Sequence, residues 1–350
     1  MRPGRSRTAR WAGGVCALLS VALASGCGTD RAANGDDGGG GGGGGDKPPT
    51  ALVTALREVR GSDPARAWIE FGDVAALRGG SPAERNPLLG YGEPKLAPAA
   101  TLLPDLTGID PFAARTALSV GKPPDEVGFL YGSFDPAAIG AKLKKLGYAE
   151  HPLGGGESTW TVRDDRAIDP ADPLAQIGIV TSMNVVRVSP RRIVYGGAGA
   201  DVDRALKGTG ALADDKAVGA VADCLGEVRA AWIGLDEKTA PEPMGIGVRQ
   251  PAKGAATEVV CMTTASGDAA ESIASAWPGR VRSTTSMVSN EPWSKLLSHP
   301  EAEVIGGSSH VVRLTARPTG AVNVLFDAWL HLDLGPLLTG ARPAPEISAK

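Results

Sequence analysis

Three stretches of the chain carry side chains whose types and spacing could do chemistry. In GGSSH, residues 306–310, Ser308 and His310 invite comparison with a serine nucleophile and its base. The motif Gly-x-Ser-x-Gly would need glycine where His310 stands, and the β-rich run that follows is the wrong successor for a nucleophile turn. The serine next to the histidine, Ser309, is also poorly aimed, since adjacent residues of a strand face opposite sides. In GGAGAD, residues 196–201, a phosphate-binding loop would need a third glycine where Val202 stands, so the expectation is a turn with Asp201 capping a helix. In DDRAIDPADP, residues 164–173, Asp164, Asp165, Asp169 and Asp172 raise the thought of calcium. Their spacing does not match a calcium loop, and Pro170 and Pro173 stiffen the segment, which reads as a solvated turn. His151, His299, His310 and His331 stand singly, and there is no Cys-x-x-Cys, so no metal site is expected. The expectation is therefore no catalytic residue and no cofactor.

The remaining reactive side chains are four cysteines, Cys16, Cys27, Cys224 and Cys261. Arg2, Arg5, Arg7 and Arg10 precede an apolar run from Trp11 to Ala24, too short for the roughly 20 residues of a membrane span and suited to a secretion signal. Ala24, Ser25 and Gly26 then lead into Cys27. These residues resemble the lipobox of bacterial lipoproteins, with Ala24 where leucine is usual and Leu23 one place further away. The resemblance implies cleavage after residue 26, acylation of Cys27 by palmitate-type chains, and an extracytoplasmic protein held at the cell membrane. The alternative is an ordinary secretory signal cleaved near Ala24 or Gly26. With Cys16 lost with the signal and Cys27 acylated, Cys224 and Cys261 remain as a disulfide pair in an oxidising compartment, or else as two buried thiols.

Residues 27–50 read as a leash. Eight consecutive glycines, 38–45, lie between Asp36, Asp37 and Asp46 and end at Pro48-Pro49. A Gly-rich coil of that length has a mean reach of about 25 Å. Beyond it, 42% hydrophobic content over the chain is ample for a core. Loss of the four signal arginines leaves 32 basic residues against 39 acidic ones, a balance of −7. An acidic body argues against nucleic acid as a partner. The expected partners are the membrane, through lipid on Cys27, and an envelope protein or small ligand.

Several segments repeat one phrase, a β-rich run followed by a small or capping residue and an amphipathic helix. In EVGFLYGSFDPAAIGAKLKKLGY, Val127 to Tyr131 favours a strand, Asp135 a cap, Pro136 the first helical position, Ile139, Leu143 and Leu146 an apolar face, and Gly147 an end. ARAWIEFGDVAALRGG, RRIVYGGAGADVDRALKG, TEVVCMTTASGDAAESIASAWPG and SHVVRLTARPTGAVNVLFDAWLHL follow suit. STWTVRD and the Ser189-Pro190 turn between two β-rich runs add antiparallel strands. Trp68, Trp160, Trp232 and Trp277 are expected in the core. Val322, Leu325, Phe326, Trp329 and Leu330 form a helical stripe that either covers a sheet or lines a lipid pocket.

The expected class is α+β, with mixed, mainly antiparallel sheets covered by amphipathic helices in two lobes of similar size. The domains are then a signal peptide at 1–26, the lipid-anchored linker at 27–50, one lobe at 51–215 and another at 216–350, dividing in the polar stretch 208–223. Residues 107–208, with their Gly-x-Asp-Pro phrase, their strand ending in Gly-x-Phe-Asp and their helix ending in Gly-Tyr, are similar to a broad class of surface-anchored bacterial proteins of unknown function. That resemblance implies fold and no site. The leading functional expectation is a tethered, non-enzymatic binding protein of the envelope. A solute-binding receptor for uptake and an extracytoplasmic hydrolase are the alternatives.

Overall fold

The computed structural model describes residues 48–236, 240–250, 254–306 and 309–340; the signal peptide, Cys27, the glycine run and Ser308 lie outside these residues. Local chemistry sets many element boundaries. Asp135 accepts the N–H groups of Ala137 and Ala138 at 3.0 Å, Pro136 opens the helix Pro136–Lys145, and Gly147 turns the chain at φ +88°. Asp73 and Ser266 cap Val74–Arg78 and Gly267–Ser283 in the same way, accepting from Ala76 and Ala269. Such caps satisfy N–H groups that a helix leaves without internal partners. Asp201 does not do so. The helix Gly199–Leu206 begins after Ala198, and Asp201 lies inside it, buried, where it pairs with Arg166 at 2.6 Å and Arg204 at 2.9 Å.

The strands are β1 (Trp68–Gly72), β2 (Thr116–Val120), β3 (Val127–Tyr131), β4 (Ala149–Gly154), β5 (Glu157–Thr161) and β6 (Val185–Val188). They continue with β7 (Arg192–Gly196), β8 (Ala230–Asp236), β9 (Ala240–Arg249), β10 (Thr257–Thr264), β11 (Leu297–Ile305) and β12 (His310–Pro318). All twelve join one sheet in the order β11-β12-β10-β9-β8-β1-β2-β3-β7-β6-β5-β4. Every ladder is antiparallel. The α+β class is therefore realised as a single antiparallel sheet with helices packed on it.

Two separate lobes are not shown, because β1 pairs with β8 and the sheet runs across the expected division; residues from Pro48 onward form one compact unit. The polar stretch 208–223 marks a crossover instead. From it the chain begins a second run of one topological plan. Each run makes a three-stranded meander (β1-β2-β3, then β8-β9-β10), crosses by a helix to a far edge, and returns to pair with the third strand. The two plans meet at their first strands.

Strand alternation divides the core between the two faces. On one face Ile69, Phe71, Leu118, Val194 and Val259 pack under the helices Ala51–Arg57, Gly199–Leu206 and Lys216–Leu225. On the other, Leu130, Val186 and Ile193 lie under Pro136–Lys145, while Ile246, Val260 and Leu314 lie under Gly267–Ser283 and the C-terminal helices Val324–Leu330 and Leu334–Thr339. Trp160, Trp232 and Trp277 are buried as expected, and Trp68 is half-buried.

Cys224 on the helix Lys216–Leu225 and Cys261 on β10 form a disulfide, with Cα atoms 6.0 Å apart. The same helix end is held by guanidinium groups. Arg249 donates to the carbonyls of Leu225 at 2.7 Å and Cys224 at 2.6 Å, and Arg313 donates to Cys224 at 3.0 Å. Cations here complement the negative end of the helix and satisfy its free carbonyls. Burial, followed by the like charge of Arg313, lowers the pKa of Arg249. The outer strands differ from the interior ones. β4 is exposed along its length, contains Pro152 and slips register between Pro152 and Gly154; β11 slips between Ser298 and Glu301, beside Pro300 and a His299 at φ +50°.

A bond closing a loop across 37 positions stabilises by about 3–4 kcal/mol in the chain-entropy account. The double variant Cys224→Ala/Cys261→Ala is expected to lose about that much in urea unfolding relative to the oxidised protein. Reductant should lower the midpoint of the parent and leave the variant unmoved.

Candidate functional site

The two groups of helices on the second face leave a gap over the joint between β1 and β8. Alternation sends Trp68 and Glu70 of β1 to that face, and register places Trp232 of β8 directly opposite Glu70. The helix Val324–Leu330 contributes Phe326, Trp329 and Leu330, which recur at helical spacing on one side of it. The segment 89–98 closes the other side with Leu89, Gly90, Tyr91, Pro94, Ala97 and Pro98. Together they line a cavity of about 270 Å³.

Two glycines seat that segment. A Cβ on Gly72 would stand 2.2 Å from the Tyr91 carbonyl oxygen, and one on Gly92, at φ +82°, would stand 2.3 Å from the Ala117 carbonyl oxygen. Only bare backbone at both positions allows the loop to lie directly on β1 and β2. Tyr91 is thereby brought against Phe326, with ring centroids 4.5 Å apart.

Three indoles form the principal wall. Trp232 and Trp329 have centroids 3.8 Å apart at 32°, Trp68 lies 5.0 Å from Trp329, and Trp68 meets Trp232 edge-on at 5.4 Å. The Trp68 indole N–H donates to Glu70 Oε1 at 2.8 Å, and the Gly92 backbone N–H also donates to Glu70. The Trp232 indole N–H is buried and has no acceptor among the described residues. Glu70 is the single acidic or basic side chain in the lining, and burial raises its pKa above the ordinary value despite these donors. Burial, with the charge of Glu70 next, raises Tyr91 so that its hydroxyl stays protonated and able to donate. The lining contains no serine, cysteine or histidine, and what it offers a guest is apolar contact, aromatic faces and one carboxylate.

A buried carboxyl lies on each flank of the cavity. Glu258 on β10, fully buried, accepts the N–H groups of Val324 at 2.9 Å and Leu325 at 2.7 Å, which pins the start of the helix carrying Phe326 and Trp329. Burial pushes its pKa up to about 8 against the opposing effect of those donors. Glu93, buried within the wall segment, has an Oε2 without a partner among the described residues; burial and then the charge of Asp110 push it up to about 8.

The candidates singled out in the sequence are dispersed. Asp165 accepts from Gly199 N–H at 2.8 Å, Asp169 from Ala171 N–H at 2.9 Å, and Asp172 caps Pro173–Gln176 while pairing with Arg163. Among the described residues no group of three histidine, cysteine or acidic side chains could hold a metal ion. His310 is exposed at the start of β12, and the nearest cleft, about 420 Å³ beside Ser309 and Arg313, is lined by Val311 and not by His310. His151 contacts Thr161 at 3.0 Å and His331 the Asp327 carbonyl at 2.8 Å. Cys27 and Ser308 lie outside the described residues. A larger cleft of about 950 Å³ opens between the helix Ala51–Arg57 and the β4–β5 hairpin, lined in part by Arg115, Arg191 and Arg192.

Of the cavity residues, the stripe Phe326, Trp329 and Leu330 was visible in the sequence, and Trp68 and Trp232 were visible as core. Tyr91 and Glu70 were not. No helix among the described residues is long and apolar enough to cross a membrane. No family model matches the chain, and no curated protein is similar to it. One solved structure, crystal form III of TP0453 from Treponema, is similar with a TM-score of 0.34 and 9% identity, over 80% of this chain and 96% of that one. Likeness at that level carries no weight for function.

These two buried carboxyls make stability depend on pH. Glu93 and Glu258 keep a proton in the fold up to about pH 8 that the unfolded chain releases near its ordinary value of 4.5. The stabilisation is thus complete below about pH 4.5 and is lost as pH climbs toward 8. Urea midpoints measured from pH 5 to pH 9 are expected to fall, and Glu93→Gln should flatten that slope.

Proposed function

We propose that the protein is a membrane-tethered, non-enzymatic binding protein of the cell envelope, held by lipid on Cys27 through a glycine-rich leash, and that it takes a small, largely apolar ligand in the aromatic cavity at the β1–β8 joint. The observation that carries this reading is the lining itself. Five of the sixteen aromatic residues in the chain meet at one cavity of about 270 Å³, although aromatics make up 5% of the sequence. Aromatic walls of this kind supply large contact area, and a cavity with few polar groups orients a guest without reacting with it.

Uptake by closure of two lobes is a weaker reading, because the continuous sheet gives no hinge between its halves. A hydrolase is weaker still, since Asp165, Asp169 and Asp172 are engaged in separate structural contacts and His310 stands exposed outside the neighbouring cleft.

The tether and the cavity are tested together on protein extracted from membranes. Intact mass is expected to show acylated Cys27, and Cys27→Ser to release the protein from the membrane fraction. Native mass spectrometry or tryptophan emission should detect a small guest that Trp329→Ala weakens by about tenfold. An unmodified Cys27 would remove the anchoring half of the reading, and a cavity that takes no guest would remove the other.

A further inference from the structure

We propose that the guest is a quaternary ammonium group, carried by a choline-like solute or lipid headgroup, seated against the rings of Trp232, Trp329 and Tyr91 with Glu70 as its counter-charge; this rests on the cavity being a ligand site. Aromatic rings present a negative face to a cation. Trp68, Tyr91, Trp232, Phe326 and Trp329 supply five such rings, and the lining adds a carboxylate and no lysine or arginine. Rings and carboxylate therefore favour the same sign of charge. The fold already holds one cation on this wall, with Lys122 Nζ 5.6 Å from the Trp68 ring centroid, and Lys122 is not part of the lining. That ammonium directs a second cation away from Trp68 and toward the other rings.

The methylated form follows from counting acceptors. A primary ammonium brings three N–H donors that must be paired when buried. Glu70 already accepts from the Trp68 indole and from Gly92, and most other lining groups are apolar. A quaternary ammonium has no N–H to leave unpaired, and its methyl groups suit apolar walls.

The test uses the purified full mature chain and tryptophan emission, with choline titrated against 3,3-dimethylbutan-1-ol, a neutral molecule of the same shape. Choline is expected to bind about tenfold or more tightly than the alcohol, and Glu70→Gln to remove most of that difference while binding of the alcohol persists. Glu70→Gln keeps an acceptor for Trp68, and its circular dichroism and urea midpoint verify the fold. Equal binding of choline and the alcohol would overturn the ammonium assignment and leave the apolar cavity reading standing. Binding of neither, with phosphatidylcholine vesicles also without effect, would overturn both. Response to free choline assigns a solute source, and response to the vesicles alone assigns a lipid headgroup; either supports the proposal.

Discussion

The ladder between β1 and β8 is the contact on which both the architecture and the cavity depend. It joins residues about 160 positions apart in sequence, with Glu70 opposite Trp232, and converts two runs of one plan into a continuous twelve-stranded sheet. Without it, each run would expose its first strand as an unpaired edge, and Ile69, Phe71, Ala231 and Ile233 would lose the shared core beneath them. The cavity lies at this joint, walled by the segment 89–98 of the first run and the helix Val324–Leu330 of the second. The cavity is a consequence of joining two similar halves.

The walls of that cavity are fixed by polar groups that are themselves buried. Glu258 grips the backbone at the start of the helix bearing Phe326 and Trp329, and Gly72 and Gly92 let the segment bearing Tyr91 rest on the sheet. On the other face, the disulfide and the guanidinium groups of Arg249 and Arg313 fasten the crossover helix to β9, β10 and β12. Preorganisation on both faces limits the ordering that binding must supply, and so favours affinity for a small guest.

Local signals were legible where local chemistry decides. The strand Val127–Tyr131, the cap Asp135 and the turn at Gly147 follow directly from residue type, as does the stripe on the C-terminal helix. Asp201 broke the pattern because its carboxylate finds Arg166, a residue 35 positions away, and that pairing outweighs a local cap. The polar stretch 208–223 predicts a division between lobes, but it is a crossover within one sheet, and composition alone cannot distinguish the two. The site was legible only in pieces. Trp68 and Trp232 looked like core because nothing near either one announces the other, and Tyr91 sits in a proline- and glycine-containing segment with no periodicity to read.

The irregular outer strands have a consequence for how many copies can share a surface. An open sheet of this width ends in two rows of unsatisfied backbone groups, and molecules confined to a plane meet sideways far more often than molecules in bulk. Pro152 and Pro300 remove donors from those rows, the slips in β4 and β11 spoil a straight template, and Glu301 adds an exposed charge to one of them. Copies that the proposed lipid anchor would confine to a membrane are thereby hindered from stitching themselves edge to edge into a fibre.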